Sequence, residues 1–507
     1  MTDTYIPAAA AAGVAVEVPS LADTLNNTTI SAQTKKDDTS KTLSRRGAQG
    51  ADSFGLPQGL KRMLANIYDP VSNPDGIINA GIADNSLCRT ELVDYFLSKD
   101  RLKLSPADLT YADRFTASTR LLESIAALFN ERTPDWPDSE QSPKPITKVQ
   151  VDHIAIGSGA TGILDQLFWN ICDQDDGVLL SSPYYNAFDN DLTNRAKAQV
   201  VEVKLPLPEV AHPNELQSLE TSSFAKHTVA AYENAYMDAT AKGIKVRALL
   251  LCNPHNPTGT VYPRETVIEL AKLAAKYQLH FVSDEIYARS IFPTCDHPNP
   301  TQFHSILAID TLSTSNLDPS YVHVVTSASK DFAINGFRLG VLVSQHNPAL
   351  QRAMSSVGLL SQSASPAASL WSSWLNDEKF LSWYFKENRR RLRLAYEYTV
   401  KFFKHYNMAY YASNSGFFIM VDFTRLARIH PNMGDRQARE KEIELVDKLV
   451  DAGIFVAPGG QYHHPKPGWF RFTFSMDPST LKLALRRIEK AMHVQTHFEQ
   501  ARSMLEF

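Results

Sequence analysis

Cysteine is scarce in this chain: four among 507 residues, Cys88, Cys172, Cys252 and Cys295, far apart and with no CxxC pair. That excludes a disulfide-stapled scaffold and a zinc ribbon, and it fits a reducing compartment. No run reaches the ~18–20 apolar residues that a membrane-spanning helix needs. Surplus charge is missing too, since 51 Lys+Arg face 55 Asp+Glu for a net −4. Without a basic excess there is no footprint for a nucleic-acid backbone, and without an acidic run there is no solvating tail. The apolar stretch Ala8–Val18 follows Asp3 and has no basic segment before it, so it does not read as a secretory signal. No internal repeat is visible. What remains is a large globular chain, expected in the cytoplasm, with length for two or three domains.

Residues 1–54 read as a disordered arm, because Ser20 to Gly50 is rich in Ser, Thr, Asn, Lys and Asp and nearly free of aromatics. From Val151 onward, short β-rich runs alternate with amphipathic helices. Strands are expected at Asp152–Ile156, Gly177–Leu180, Val246–Cys252, His280–Ser283, Tyr321–Thr326, Leu339–Ser344 and Gly416–Phe423. Helices are expected at Thr161–Ile171, Glu265–Tyr277, Trp374–Tyr406, Lys441–Ala452 and from Val494 onward. Such alternation predicts an α/β layer with a mostly parallel sheet. The basic cluster Arg389, Arg390, Arg391 and Arg393 reads as a solvated helix face.

Three clusters can carry chemistry. The turn Asn253-Pro254-His255-Asn256-Pro257-Thr258-Gly259 follows a buried strand, and ligands of parallel sheets sit beyond such strand ends. Asp284 ends the next strand, with Tyr287 three residues on; a carboxylate there can pair with a ligand cation, or merely cap a helix. Thr326-Ser327-Ala328-Ser329-Lys330 follows a third strand, with Arg338 eight residues later. A lysine among hydroxyls near an arginine suits a Schiff-base amine beside a phosphate site. His463 and His464 lack a carboxylate or thiol at ligand spacing, so they read as a polar loop and no metal site is expected.

Together these segments resemble the fold-type I pyridoxal-phosphate enzymes, the class I/II aminotransferase superfamily, and most closely the 1-aminocyclopropane-1-carboxylate (ACC) synthase-like proteins. The resemblance runs from Leu56 to Met492. It also takes in Asn73-Pro74-Asp75-Gly76-Ile77-Ile78, Gly159-Ala160-Thr161, Ser182-Pro183-Tyr184-Tyr185 and Pro467-Gly468-Trp469-Phe470-Arg471. It implies an aspartate-aminotransferase-like α/β fold, with a large domain carrying a mostly parallel central sheet over residues 110–350. A smaller α/β domain would combine residues 55–109 with 351–507. The implied cofactor is pyridoxal 5'-phosphate. Lys330 would join it as the internal aldimine and move the substrate's α-proton, while Asp284 would keep the pyridine nitrogen protonated. Asn256 and Tyr287 would hydrogen-bond the ring oxygen, and Tyr185 would stack on the ring, with Tyr184 pointing elsewhere. Ala160, Thr161, Ser327, Ser329 and Arg338 would cup the phosphate, and Arg471 would clamp the substrate carboxylate.

Two departures from the ACC synthase pattern bear on the substrate. Asp84, in Ala83-Asp84-Asn85-Ser86-Leu87, stands where those enzymes carry glutamate. In Leu109-Thr110-Tyr111-Ala112-Asp113-Arg114, a region that supplies a tyrosine across the dimer, Ala112 and Arg114 replace glycines. Asp84 and Tyr111 are thus the remaining substrate-site candidates, and a substrate other than S-adenosylmethionine is expected. The implied activity is an aminotransferase acting on an α-amino acid and a 2-oxo acid, as a homodimer. The alternatives are a lyase of the ACC-synthase or carbon–sulfur type and a non-catalytic ligand-binding relative. Neither a nucleic acid nor a membrane is expected as a partner.

Overall fold

Seven strands, all between residues 154 and 343, build the central sheet: β1 (Ile154–Ser158), β2 (Gly177–Ser182), β3 (Gln199–Lys204), β4 (Val246–Cys252), β5 (His280–Asp284), β6 (Val322–Ser327) and β7 (Leu339–Val343). The computed structural model describes residues 42–494, apart from 54, 99–100, 112, 115, 137, 140–142 and 206–220, together with residue 498. The spatial order is β1-β7-β6-β5-β4-β2-β3. β3, β2, β4, β5 and β6 are mutually parallel, and β7 alone runs against both of its neighbours. Two antiparallel pairings in succession turn β1 back to the common direction. Strands β2, β4, β5, β6 and β7 are buried almost throughout. That is why they read as continuous apolar runs rather than alternating ones. β3 at the edge alternates buried and exposed residues.

Helices cover both faces. Phe168, Leu164 and Ile163 of helix Gly159–Ile171 pack on one face with Val178, Leu250 and Val282. Leu270 and Ala274 of helix Arg264–Tyr277 pack on the other with Leu249 and Phe281. Further along, β8 (Phe418–Asp422), β9 (Ala457–Pro458) and β10 (Trp469–Thr473) make an antiparallel sheet in the order β9-β10-β8. Met420 of β8 stands opposite Arg471 of β10.

The chain divides into two compact units, one ending at Ile78 and one beginning at Asn79. In the first, Asp69 caps a turn by accepting N–H bonds from Val71 at 3.0 Å and Ser72 at 2.7 Å. Of the expected arm, residues 1–41 lie outside the described residues. Beyond them Arg45–Ser53 form a helix, with Ser44 Oγ accepting the Gly47 N–H at 3.2 Å.

Two expectations change. The single helix over Trp374–Tyr406 is two, Ser365–Leu375 and Glu378–His405, because Asp377 accepts the Phe380 N–H at 3.1 Å and starts a new helix. The arginine cluster is a solvated face only in part, since the side chains of Arg390 and Arg393 are 45% and 52% exposed. Side chains of Arg389 and Arg391 are 11% and 14% exposed, paired with Asp138 at 2.5 Å and with Glu91 and Glu387 at 2.6 and 2.7 Å. Consecutive helical residues point about 100° apart, so a run of arginines cannot share one wet face. The last described helix is Pro478–Ala491, and apart from Val494 and Phe498 the helix expected beyond it lies outside the described residues.

Candidate active site

The parallel strands deliver their last residues to one edge of the sheet. Cys252 and Asp284 are register partners at the ends of β4 and β5. The Asp284 carbonyl accepts the Asn253 N–H at 2.9 Å, which fastens the asparagine turn to β5. From the other side, the Gly259 carbonyl accepts N–H bonds from Asn414 at 3.0 Å and Ser415 at 3.1 Å, and the Ser413 hydroxyl at 3.0 Å. Inside the turn, Asn253 Oδ1 accepts the Tyr262 N–H at 3.0 Å. The Asp284 carboxyl is buried and accepts the Ile286 N–H at 3.2 Å. Burial pushes its pKa up to about 7, against the pull of the Ile286 N–H, the Cys252 thiol and Lys330.

A second corner forms where β1 runs into helix Gly159–Ile171 beside the turn between β6 and β7. Gly159 sits at φ +73°, and a Cβ there would collide with the Arg338 guanidinium. A side chain at Gly340 would strike the Gly159 carbonyl, so both positions demand glycine. Arg338 itself is left-handed at φ 56°, and its guanidinium donates to Asn335 O at 2.9 Å and Ser158 O at 3.3 Å. Ser327 Oγ donates to Leu339 O at 2.7 Å and lies 2.8 Å from Ser329 Oγ. Ala160 is half-buried and Thr161 exposed in the helix's first turn. The Gly159 N–H goes to the Arg338 carbonyl at 3.0 Å, and the helix's next N–H groups, two hydroxyls and a guanidinium give this corner donors of the kind that suit an anion.

Lys330 lies between the two corners. Its Nζ donates to the Ala83 carbonyl, and burial brings its pKa down to about 8, with Arg471 and Arg338 lowering it and Asp84 and Asp284 raising it. Arg471 on β10 is 2% exposed. It donates to Asn256 Oδ1 at 2.9 Å and to Gly81 O at 2.5 Å, while its Nε is buried with no partner among the described residues. Its guanidinium carbon lies 4.8 Å from the Phe418 ring centre and 4.4 Å from that of Tyr462. Asp84 pairs with Arg89 at 2.5 Å.

The aromatic residues have separate surroundings. Tyr184 stacks on His463 at 4.3 Å and its hydroxyl donates to Asp189 at 2.7 Å, whereas Tyr185 packs edge-on to Phe188. Tyr287 is buried with its ring perpendicular to Phe417 and Phe418. Tyr111 is 72% exposed. Arg114 carries its charge to Asp152 at 2.7 Å rather than to the cluster around Lys330, and Ala112 lies outside the described residues. The adjacent histidines diverge. His463 bonds Asp189 at 2.7 Å, whereas His464, expected in a polar loop, is fully buried, with its Nε2 3.0 Å from the Tyr411 hydroxyl.

The model of the family described as aminotransferase class I and II matches residues 114–488. The chain belongs to that family. Among relatives of this class I and II aminotransferase, a probable aminotransferase, aclI, from Aspergillus oryzae is 30% identical over 89% of the chain and 98% of its own length. ACC synthase 6 of Oryza sativa is also 30% identical, over 85% of the chain and 76% of its own length. An aspartate aminotransferase double mutant of Thermus thermophilus superposes with a TM-score of 0.62, covering 89% of the chain and 99% of that structure at 20% identity. Bna3p of Saccharomyces cerevisiae, described as a putative kynurenine aminotransferase, gives 0.66 over 89% and 99% at 18% identity. The fold is therefore that of aspartate aminotransferase, and the chain is a fold-type I pyridoxal-phosphate enzyme.

Parts of this aminotransferase site carry no signal in the sequence. The carbonyls of Gly81 and Ala83 are peptide groups, invisible to any motif. Phe418 and Tyr462 read as ordinary core aromatics. Asp191 is buried with Oδ2 unpartnered among the described residues, and its pKa is pushed up to about 8 by burial and by Asp284.

Proposed function

We propose that this chain is a pyridoxal-phosphate-dependent aminotransferase that exchanges the amine of an α-amino acid for the oxo group of a 2-oxo acid. One observation carries the reading: Arg471 donates to Asn256 Oδ1 at 2.9 Å and to the Gly81 carbonyl, and Lys330 Nζ donates to the Ala83 carbonyl two residues on, so four separate segments bring their polar groups to one place. The residues fit the cofactor. The anion corner at Gly159 suits its phosphate, with Ala160, Thr161, Ser327, Ser329 and Arg338 around it. Asp284 faces the ring nitrogen on this reading, Asn256 and Tyr287 the ring oxygen, and Tyr185 the ring face. Bound there, pyridoxal phosphate supplies a carbonyl that takes up the substrate amine and a ring that accepts electrons from the Cα bond.

The protein's part is positioning and proton transfer. Arg471, fixed by Asn256, Gly81 and two rings, takes the substrate carboxylate and so sets which Cα bond stands perpendicular to the ring. Lys330 Nζ, with its pKa brought down to about 8, takes the α-proton near neutral pH and returns it elsewhere. A cation opposite Asp284 would relieve the burial that raises its carboxyl and hold it ionised. Residues 110–350 form the cofactor-bearing domain on this reading. Exposed Leu109 and Tyr111, 79% and 72%, support a homodimer in which Tyr111 meets the second copy. Four free cysteines support a cytoplasmic setting.

Transamination is favoured over ACC-synthase-type elimination or ring closure because the family model is that of the class I and II aminotransferases and Asp84 stands where ACC synthases carry glutamate. The test is an amino-acid panel with the cofactor-loaded protein. Conversion of the cofactor to its amine form, reversed by a 2-oxo acid, is expected. Ammonia or ACC released without an acceptor would overturn transamination. Lys330→Ala is expected to lose the yellow cofactor absorbance and nearly all turnover, and substantial turnover would refute its role.

A further inference from the structure

The segment from Gly81 to Ser86 is a wall of the site. Its Gly81 carbonyl holds Arg471, its Ala83 carbonyl holds Lys330, and the Asp84 carbonyl accepts the Ser475 hydroxyl at 2.6 Å. The Asp84 side chain leaves this wall one residue beyond the Lys330 contact, close enough to favour the charged form of that amine. It is 34% exposed and meets Arg89, 58% exposed, at 2.5 Å. Arg89 is the first residue of helix Arg89–Leu97, where the macrodipole opposes a cation. No propensity therefore places an arginine there, and its contact with Asp84 is what the position provides.

We infer that Arg89 masks Asp84 and thereby sets the charge preference for the substrate side chain. This rests on the reading above, in which the α-carboxylate lies on Arg471 and the α-proton goes to Lys330; because the Gly81 and Ala83 carbonyls hold those two side chains, the substrate's Cα is placed beside this wall and next to Asp84. A bare carboxylate at residue 84 would draw in a cationic side chain. Paired with Arg89, it offers no net charge, and the Arg89 side chain, which meets Asp84 through Nη2, stays 58% exposed to an incoming anion. The substrate class is an amino acid with a neutral or anionic side chain, and cationic ones are selected against. Arg89 acts on specificity through Asp84 and takes no part in bond breaking.

On protein whose bound cofactor has been reduced onto Lys330 with borohydride, so that no amine can exchange onto it, three five-carbon acids isolate the effect: glutarate, pentanoate and 5-aminopentanoate, which share one carboxylate and differ in the charge of the far end. Their dissociation constants are measured by calorimetry on this reduced full chain. The wild type is expected to bind 5-aminopentanoate most weakly. Arg89→Ala should improve 5-aminopentanoate relative to pentanoate by about threefold to fivefold, the scale of a half-exposed charge pair. Asp84→Asn should improve glutarate relative to pentanoate by a similar factor. Both shifts should shrink when salt rises from 0.05 to 0.5 M. The double variant Asp84→Asn/Arg89→Ala should show neither shift. Ratios that stay within the error of wild type in both single variants overturn the inference. Should none of the three acids bind, while norvaline also fails to convert the unreduced cofactor to its amine form, the aminotransferase reading itself falls and this inference falls with it.

Discussion

The aromatic clamp on Arg471 gives the most exposed prediction. With the guanidinium carbon 4.4 Å from the Tyr462 ring and 4.8 Å from the Phe418 ring, the cation lies between two π faces in a site that is 2% exposed. A desolvated cation–π contact is worth roughly 2 kcal/mol, and an exposed one about 0.5–1. Tyr462→Leu removes one ring and leaves the bonds to Asn256 and Gly81, so about 1–2 kcal/mol of positioning should go. That corresponds to a roughly fivefold to thirtyfold loss, since 1.36 kcal/mol is tenfold. The loss should fall on carboxylate binding: KM for the amino acid and the dissociation constant of pentanoate rise together, while kcat moves less than threefold. Tyr462→Phe keeps the ring and should stay within about twofold of wild type. Thermal unfolding of both variants separates a local loss from a general one. Wild-type pentanoate affinity in a folded Tyr462→Leu protein, or equal damage from Phe and Leu, would refute the clamp.

Other perturbations follow from the same geometry. Arg338→Gln removes a charged donor from the anion corner and should weaken pyridoxal phosphate about ten- to hundredfold, read as cofactor retained after dialysis. Gly159→Ala places a Cβ at φ +73° against the Arg338 guanidinium, so cofactor retention should fall as far as for Arg338→Gln; full retention would contradict the packing. Without cofactor, stability should decline as pH rises from about 6.5 to 8, above the range in which the buried histidines His255, His280 and His464, held neutral down to about 4, pull the other way. Asp284, Glu285 and Asp331 hold protons up to about 7, and Asp191 to about 8, all through burial. The unfolded chain releases those protons near pH 4, so the folded state binds more of them throughout that window. The melting temperature of the cofactor-free protein should drop across it, and Asp191→Asn should flatten the drop.

Where burial decided the structure, the sequence was legible. Val246–Cys252 forms its expected strand residue for residue, since both of its faces are covered and every position but Arg247 is apolar. β3 escaped notice because an edge strand with Glu202 and Lys204 outward carries half the signal. The site residues at strand ends could be read because topology alone brings strand ends together. Arg89 could not, since its meaning lies in a contact with Asp84 across a turn. The arginine run misled because charge was read along the chain rather than around the helix, and Arg391 ends up 14% exposed between Glu91 and Glu387.

The pairing of Gly157 with Gly340 has a consequence for how the molecule is made. It joins residues roughly 180 positions apart in the chain, and the anion corner does not exist until that pairing closes. Contacts of such sequence separation form late, because the loop entropy must be overcome before they stabilise anything. The cofactor is therefore a ligand of the completed sheet, not a template for any local piece of it. Pyridoxal phosphate added to a refolding chain should raise the final yield by trapping the finished state while leaving the observed refolding rate unchanged. A chain still on the ribosome cannot hold it before Arg338 and Gly340 have emerged and β7 has docked against β1.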